Sequence, residues 1–254
     1  MTYYIFDGSY LGYLSAFFQS FQERKVDAIP MIDEKLGSSL FAVKTYVETD
    51  SERAKRILKG LEKHIGKERV YDFYRNFLSE DPKAWHIGFK LMRSIFTNNP
   101  GILKNYADAD ALAFSQTIKK MGRESHRMKA FIRFSKSADE LYSAVIEPDF
   151  NVLPLIISFF KKRFADQRWL IYDVKRRYGY LYNLQDIQEV TLSEASNNGA
   201  DLAIQIELDQ QETHYQQLWK AYFKATNIVA RKNIKLHVQH VPKRYWKYLV
   251  EKQD

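Results

Sequence analysis

The chain has 254 residues, 45% hydrophobic and 15% aromatic, enough for one large core or two smaller ones, while 10 Gly and 6 Pro exclude a collagen-like or low-complexity chain. It contains no cysteine, which rules out disulfides, thiolate metal sites, cysteine-ligated iron–sulfur clusters and cysteine nucleophiles. A formal net charge of +8 favours a polyanionic partner, because each cation laid on a phosphate releases condensed counterions.

Tyr3–Phe6 reads as a strand, and Asp7-Gly8-Ser9 as a turn leading into a helix with Tyr10, Tyr13, Leu14, Phe17, Phe18 and Phe21 at helical spacing. Residues 23–40 show no period and are expected to form a long loop before a second strand at Ala42–Val47. Thr49, Asp50 and Ser51 offer caps for a helix that turns Ala54, Ile57, Leu58 and Leu61 inward and closes at Gly66. The next helix carries Val70, Phe73, Tyr74 and Phe77. Asp81-Pro82 opens another, with Trp85, Phe89, Met92 and Phe96 inward, and Asn98-Asn99-Pro100-Gly101 ends it. A further helix is expected from Asp108.

Beyond Ser125 the spacing reads as period two: Met128, Ala130, Ile132 and Phe134 alternate with Lys129, Phe131, Arg133 and Ser135. This predicts a strand that turns near Ser137–Asp139 into Leu141–Glu147. Val152–Phe164 reads as a buried helix, and Arg168–Val174, Tyr178–Tyr182 and Ile187–Leu192 as a meander. Ser193–Ala200 reads as a loop, Gln211–Thr226 as a helix, and a last helix is expected from Lys243. The fold class is therefore α+β, with a helical N-terminal half and antiparallel strands packed with helices in the C-terminal half. We expect a mainly helical region 1–107 and an α+β region 108–254, or one interwoven domain. The first residues lack the basic and apolar stretches of a signal peptide, and the longest apolar run, Val152–Phe160, is too short to span a bilayer. A cytoplasmic protein without membrane contact is expected.

Basic residues crowd three segments. The first holds Lys119, Lys120, Arg123, Arg127, Lys129, Arg133 and Lys136; the second Lys161, Lys162, Arg163, Arg168, Lys175, Arg176 and Arg177; the third Arg231, Lys232, Lys235, Lys243, Arg244 and Lys247. Aromatics interleave with them, including Phe131, Phe134, Trp169, Tyr172, Tyr178, Tyr180, Tyr245 and Trp246. Nucleic-acid surfaces need both kinds, cations for the backbone and flat rings on which bases stack. The plainer account of any one segment is a solvated face over core aromatics.

Chemistry beyond binding has few carriers. His237 and His240 could hold two ligand positions of a metal, but no acid lies near them and Lys235, Lys243 and Arg244 would repel a cation, so neither metal nor cofactor is expected. His126 is the acid/base candidate, with Glu124, Glu147 or Asp149 as carboxylate partner. No nucleophile elbow, Walker loop or dinucleotide fingerprint is found in the sequence.

Several strings in order resemble a bacterial family labelled for DNA metabolism or DNA repair. They are Tyr4-Ile5-Phe6-Asp7-Gly8-Ser9, Val47-Glu48-Thr49-Asp50, the run Glu124 to Phe134, Glu147 to Pro154, Phe164 to Trp169, Asp173 to Gly179 and Pro242 to Trp246. The resemblance implies a link to a radical-SAM DNA-modification or repair protein and to uracil-DNA-glycosylase-like domains found fused to similar chains. It carries over no catalytic residue. The radical-SAM cluster would need cysteines, so that chemistry would belong to the partner. Ala130 stands where the family string leads one to expect Gly.

The leading expectation is a DNA-binding accessory protein serving such a partner enzyme. Arg127, Lys129, Arg133, Arg168, Lys175, Arg176, Arg177, Lys243 and Arg244 would meet phosphate, and Trp169, Tyr178, Tyr245 or Trp246 would stack on bases. The alternatives are an enzyme on DNA bases or ends using His126 with a carboxylate, and a protein–protein adaptor that does not touch DNA.

Overall fold

In the computed structural model the described residues are 2–36, 43–97, 99–191, 216–218, 220 and 238–252. The expected loop 193–200, most of the expected helix 211–226, and His237 lie outside them. The chain divides into two compact units, Met1–Gly122 and Arg123–Asp254, and the division falls inside one helix.

The first unit opens with a β-α-β element: β1 (Thr2–Ile5), α1 (Tyr10–Gln22) and β2 (Ala28–Met31), followed by the short α2 (Asp33–Leu36) and β3 (Val43–Tyr46). The three strands form a parallel sheet in the order β2-β1-β3. The expected loop at 23–40 thus holds a strand and a helical turn. At four residues with Pro30 inside, β2 was too short to show a period. Helices α3 (Ser51–Ile65), α4 (Lys67–Phe77) and α5 (Pro82–Phe96) follow, and a 3-10 turn at Ile102–Lys104 leads into α6 (Ala109–Phe131).

Side-chain caps hold three of these helices: Ser9 accepts from Gly12 N–H, Asp50, one of the expected caps, from Glu52 and Arg53 N–H, and Asp81 from Lys83 N–H. The core is aromatic. Phe6 lies 5.4 Å from the Trp85 ring, Phe77 stacks on Trp85, and Trp85 donates its indole N–H to Phe77 O at 2.8 Å.

Two of the family-like strings meet in this unit, at the ends of β1 and β3. Thr49 donates its hydroxyl to Asp7 at 2.7 Å, and Ser9 donates its N–H to Asp7 at 2.9 Å. Gly8, at φ +83°, makes the left-handed turn that aims the Asp7 carboxylate back over α1. Gly12 then leaves room for that carboxylate: a Cβ there would stand 2.2 Å from Asp7 Oδ1 and 2.8 Å from the Thr49 hydroxyl.

The second unit takes the end of α6, then β4 (Ser135–Lys136), β5 (Tyr142–Ile146), α7 (Leu153–Arg163), β6 (Trp169–Asp173), β7 (Tyr178–Tyr182) and β8 (Ile187–Val190). Its five-stranded sheet has the order β4-β5-β6-β7-β8. The expected hairpin and meander are both present and antiparallel, while β5 and β6 pair in parallel across α7. The fold is α+β.

Residues 128–131, expected to begin a strand, continue α6 instead. Met121, Glu124, Met128 and Ile132 are the buried positions, at spacings of three and four, and the spacing of four between Met128 and Ile132 satisfies both periods. The expected last helix is a 3-10 segment, Lys243–Tyr248, followed by another at Val250–Lys252. Among the described residues no helix is long and apolar enough to cross a membrane.

Candidate functional site

The loop Glu147-Pro148-Asp149, between β5 and α7, gathers side chains from three distant parts of the second unit. From α6, Glu124 accepts the Asp149 N–H at 2.9 Å. From the β6–β7 turn, Arg176 donates to Pro148 O at 3.1 Å and Asp149 O at 3.2 Å, and Lys175 donates to Asp149 O at 3.2 Å. From the C-terminal 3-10 segment, Arg244 pairs with the Asp149 carboxylate at 2.8 Å, and Lys247 with Glu147. Cations of the second and third basic segments thus converge on one loop, and the first segment supplies the carboxylate of Glu124.

Each contributor is fixed by a local device. Asp173, fully buried at the end of β6, accepts the N–H groups of Lys175 and Arg176 at 3.0 and 3.2 Å and pairs with the Arg176 guanidinium at 2.8 Å. Burial pushes the Asp173 carboxyl up, and Arg176 pulls it the other way. The turn places Arg177 at φ +56°, a left-handed conformation uncommon for a branched-chain-free but bulky residue. On α6, Glu124 is 2% exposed; besides Asp149 N–H its carboxylate accepts the Tyr245 hydroxyl and the Arg244 guanidinium at 3.3 Å. Arg127, one turn further, donates to Gln239 O at 3.3 Å. Together these contacts join the 3-10 segment to α6. Glu147 also accepts the Tyr248 hydroxyl at 2.7 Å, and the Lys247 and Tyr248 hydrogen bonds hold its carboxyl below the usual range.

The expected phosphate and base contacts divide on this geometry. Arg168, Lys175, Arg177, Lys243 and Arg244 are exposed, and Arg127, Lys129, Arg133 and Arg176 are partly covered. Arg133 pairs with Glu251 at 2.8 Å. Trp169 is 0% exposed and Tyr245 2%, so neither ring offers a face to a base. Trp169 lies on β6, which is buried on both faces, so strand alternation gives no solvent side there. Tyr178 is partly buried with its hydroxyl on Asn151, and Trp246 is half-buried with its indole N–H on Val241 O at 3.0 Å. His126 is exposed, while Glu124 two positions earlier points inward. Residues two apart lie on opposite sides of a helix, so this pair forms no acid/base dyad. What sequence reading missed is the roles of Glu124 and Asp149, which organise the cations. The signal available was an acid flanked by cations at helical spacing from buried methionines.

The fold and site define an α+β protein whose second unit assembles a cationic surface around a carboxylate-braced loop. Residues 82–251, more than half of the chain, match the family described as Domain of unknown function (DUF4130), and the chain belongs to that family. No curated protein and no solved structure matches the chain.

Proposed function

We propose that the protein is a cytoplasmic DNA-binding accessory protein of DNA metabolism or repair, holding DNA for a radical-SAM or glycosylase-like partner enzyme. One observation carries the DNA reading: cations of two basic segments far apart in sequence meet at the Glu147–Asp149 loop, which Glu124 of the first segment braces. On the loop and its bracing carboxylates stand Arg127, Lys175, Arg176, Arg244 and Lys247 against Glu124, Glu147, Asp149 and Asp173, an excess of one positive charge, with Arg177 and Lys243 next in sequence to Arg176 and Arg244. The carboxylates brace guanidiniums and amines that would otherwise repel one another, so the cations are held in place before a polyanion arrives. The partner rests on the family resemblance, which supplies the radical-SAM and glycosylase associations. No cysteine is present for that chemistry, so the partner would carry it.

The test is binding of the purified full chain to labelled single-stranded and duplex oligonucleotides over a salt series. Affinity that falls linearly on a log–log plot, with a slope corresponding to several phosphate contacts, is the expected result. Absence of binding at low salt overturns the reading in favour of a protein–protein adaptor.

A further inference from the structure

Among the described residues of the second unit, the loop cluster leaves one exposed aromatic unexplained. Phe159, on α7, is 39% exposed although its neighbour Phe160 is buried. The two rings meet edge-on at 5.2 Å, and Phe160 in turn contacts Phe164 and Trp169, so Phe159 is braced from below by a packed aromatic stack. Lys129 of α6 lies with Nζ 5.4 Å from the Phe159 ring centre. Lys162 and Arg163, both exposed, follow Phe159 by three and four residues on α7 and so lie on the same side of that helix. An exposed ring thus has one cation beside it and two more on the same side of its helix.

The α6 surface links this ring to the loop cluster. At about 100° per residue, Lys129, His126, Ala130, Arg123 and Arg127 occupy one arc of roughly 160° of the helix. Lys129 stands at the edge beside Phe159, and Arg127 at the opposite edge, the side on which Glu124 and Arg244 meet. Between them lie the exposed His126 and Ala130, the latter with no side chain beyond a methyl to hold a ligand away from the helix.

We infer that Phe159 is a base-stacking platform and that the nucleic acid taken by this surface is single-stranded DNA, an inference that rests on the DNA-binding reading above. A duplex buries both faces of its interior bases, so an exposed ring gains nothing from it. An unpaired base laid on Phe159 covers the ring, while its flanking phosphates reach Lys129, Lys162 and Arg163. The strand then continues over Ala130 towards Arg127 and the loop cluster.

The experiment compares a labelled mixed-sequence strand of about 20 nucleotides with its blunt duplex, by anisotropy over a salt series, for wild type, Phe159→Ala, Phe159→Trp and Lys162→Ala. Expected are tighter binding of the strand than of the duplex and a loss of about 5- to 150-fold for Phe159→Ala at an unchanged salt slope. Phe159→Trp retains affinity, and Lys162→Ala lowers the slope by about one. Because Phe159 is exposed, wild-type thermal melting of Phe159→Ala serves as the folding control. Should the duplex bind as tightly as the strand and Phe159→Ala bind as wild type does, the stacking inference falls and the DNA reading stands. If neither form binds, the DNA reading falls and takes this inference with it.

Discussion

Replacing Glu124 with Ala removes an acceptor that ties α6 to both the 147–149 loop and the 3-10 segment. Two donors lose their partner in a covered site, the Tyr245 hydroxyl and the Asp149 N–H, and Arg244 loses one of its two carboxylates. An unsatisfied buried donor costs about 1–3 kcal/mol, and removing one member of a buried charged network about 3–5 kcal/mol. We therefore expect Glu124→Ala to cost about 3–5 kcal/mol, which lowers the melting temperature of a chain this long by roughly 10 °C. Glu124→Gln keeps one acceptor oxygen for the Asp149 amide and is expected to lose about half as much. Thermal melting followed by near-UV circular dichroism reads both variants, and urea unfolding supplies the free-energy difference. A Glu124→Ala midpoint within about 2 °C of wild type would refute the bracing role, since no buried donor could then have been orphaned.

Gly12→Ala should destabilise the first unit by about 1–3 kcal/mol, because the added methyl collides with Asp7 and Thr49; urea unfolding at wild-type stability would show that the Asp7–Thr49 contact yields freely. Arg177→Gly relieves a left-handed backbone at a bulky residue and is expected to raise stability by about 1 kcal/mol while weakening DNA binding, so that the two readouts move in opposite senses. A variant that loses both would show that the Arg177 side chain holds the turn. Glu147 is held below its ordinary value of 4.5 by Lys247 and Tyr248, so its contribution to stability is present above pH 4.5 and is lost as the pH falls through the lower folded value. Glu147→Gln should flatten that part of the stability–pH curve, and a curve identical to wild type would count against the pairing.

Local rules carried much of the fold. Ser9, Asp50 and Asp81 cap the helices their sequence positions imply, and the β6–β7–β8 meander follows its turns. Two features escaped because their causes are not local. β2 is four residues of a parallel sheet, visible only through its pairing with β1. The 128–131 run reads as either period because buried positions four apart fit a helix and a strand equally well. The candidate site was legible as charge and not as geometry. Cationic segments announce themselves in sequence, whereas the buried Glu124 that braces them, and the burial of Trp169 on both faces of a central strand, depend on contacts across more than a hundred residues or on neighbouring strands.

In the proposed function the cations at the Glu147–Asp149 loop and beside it in sequence hold DNA phosphate. The salt dependence of DNA affinity, measured for wild type against the triple variant Lys175→Ala, Arg177→Ala, Lys243→Ala with thermal melting as the folding control, tests this. A slope reduced by about three, about one for each phosphate contact removed, is the predicted result. A folded triple variant with the wild-type affinity and slope would contradict it.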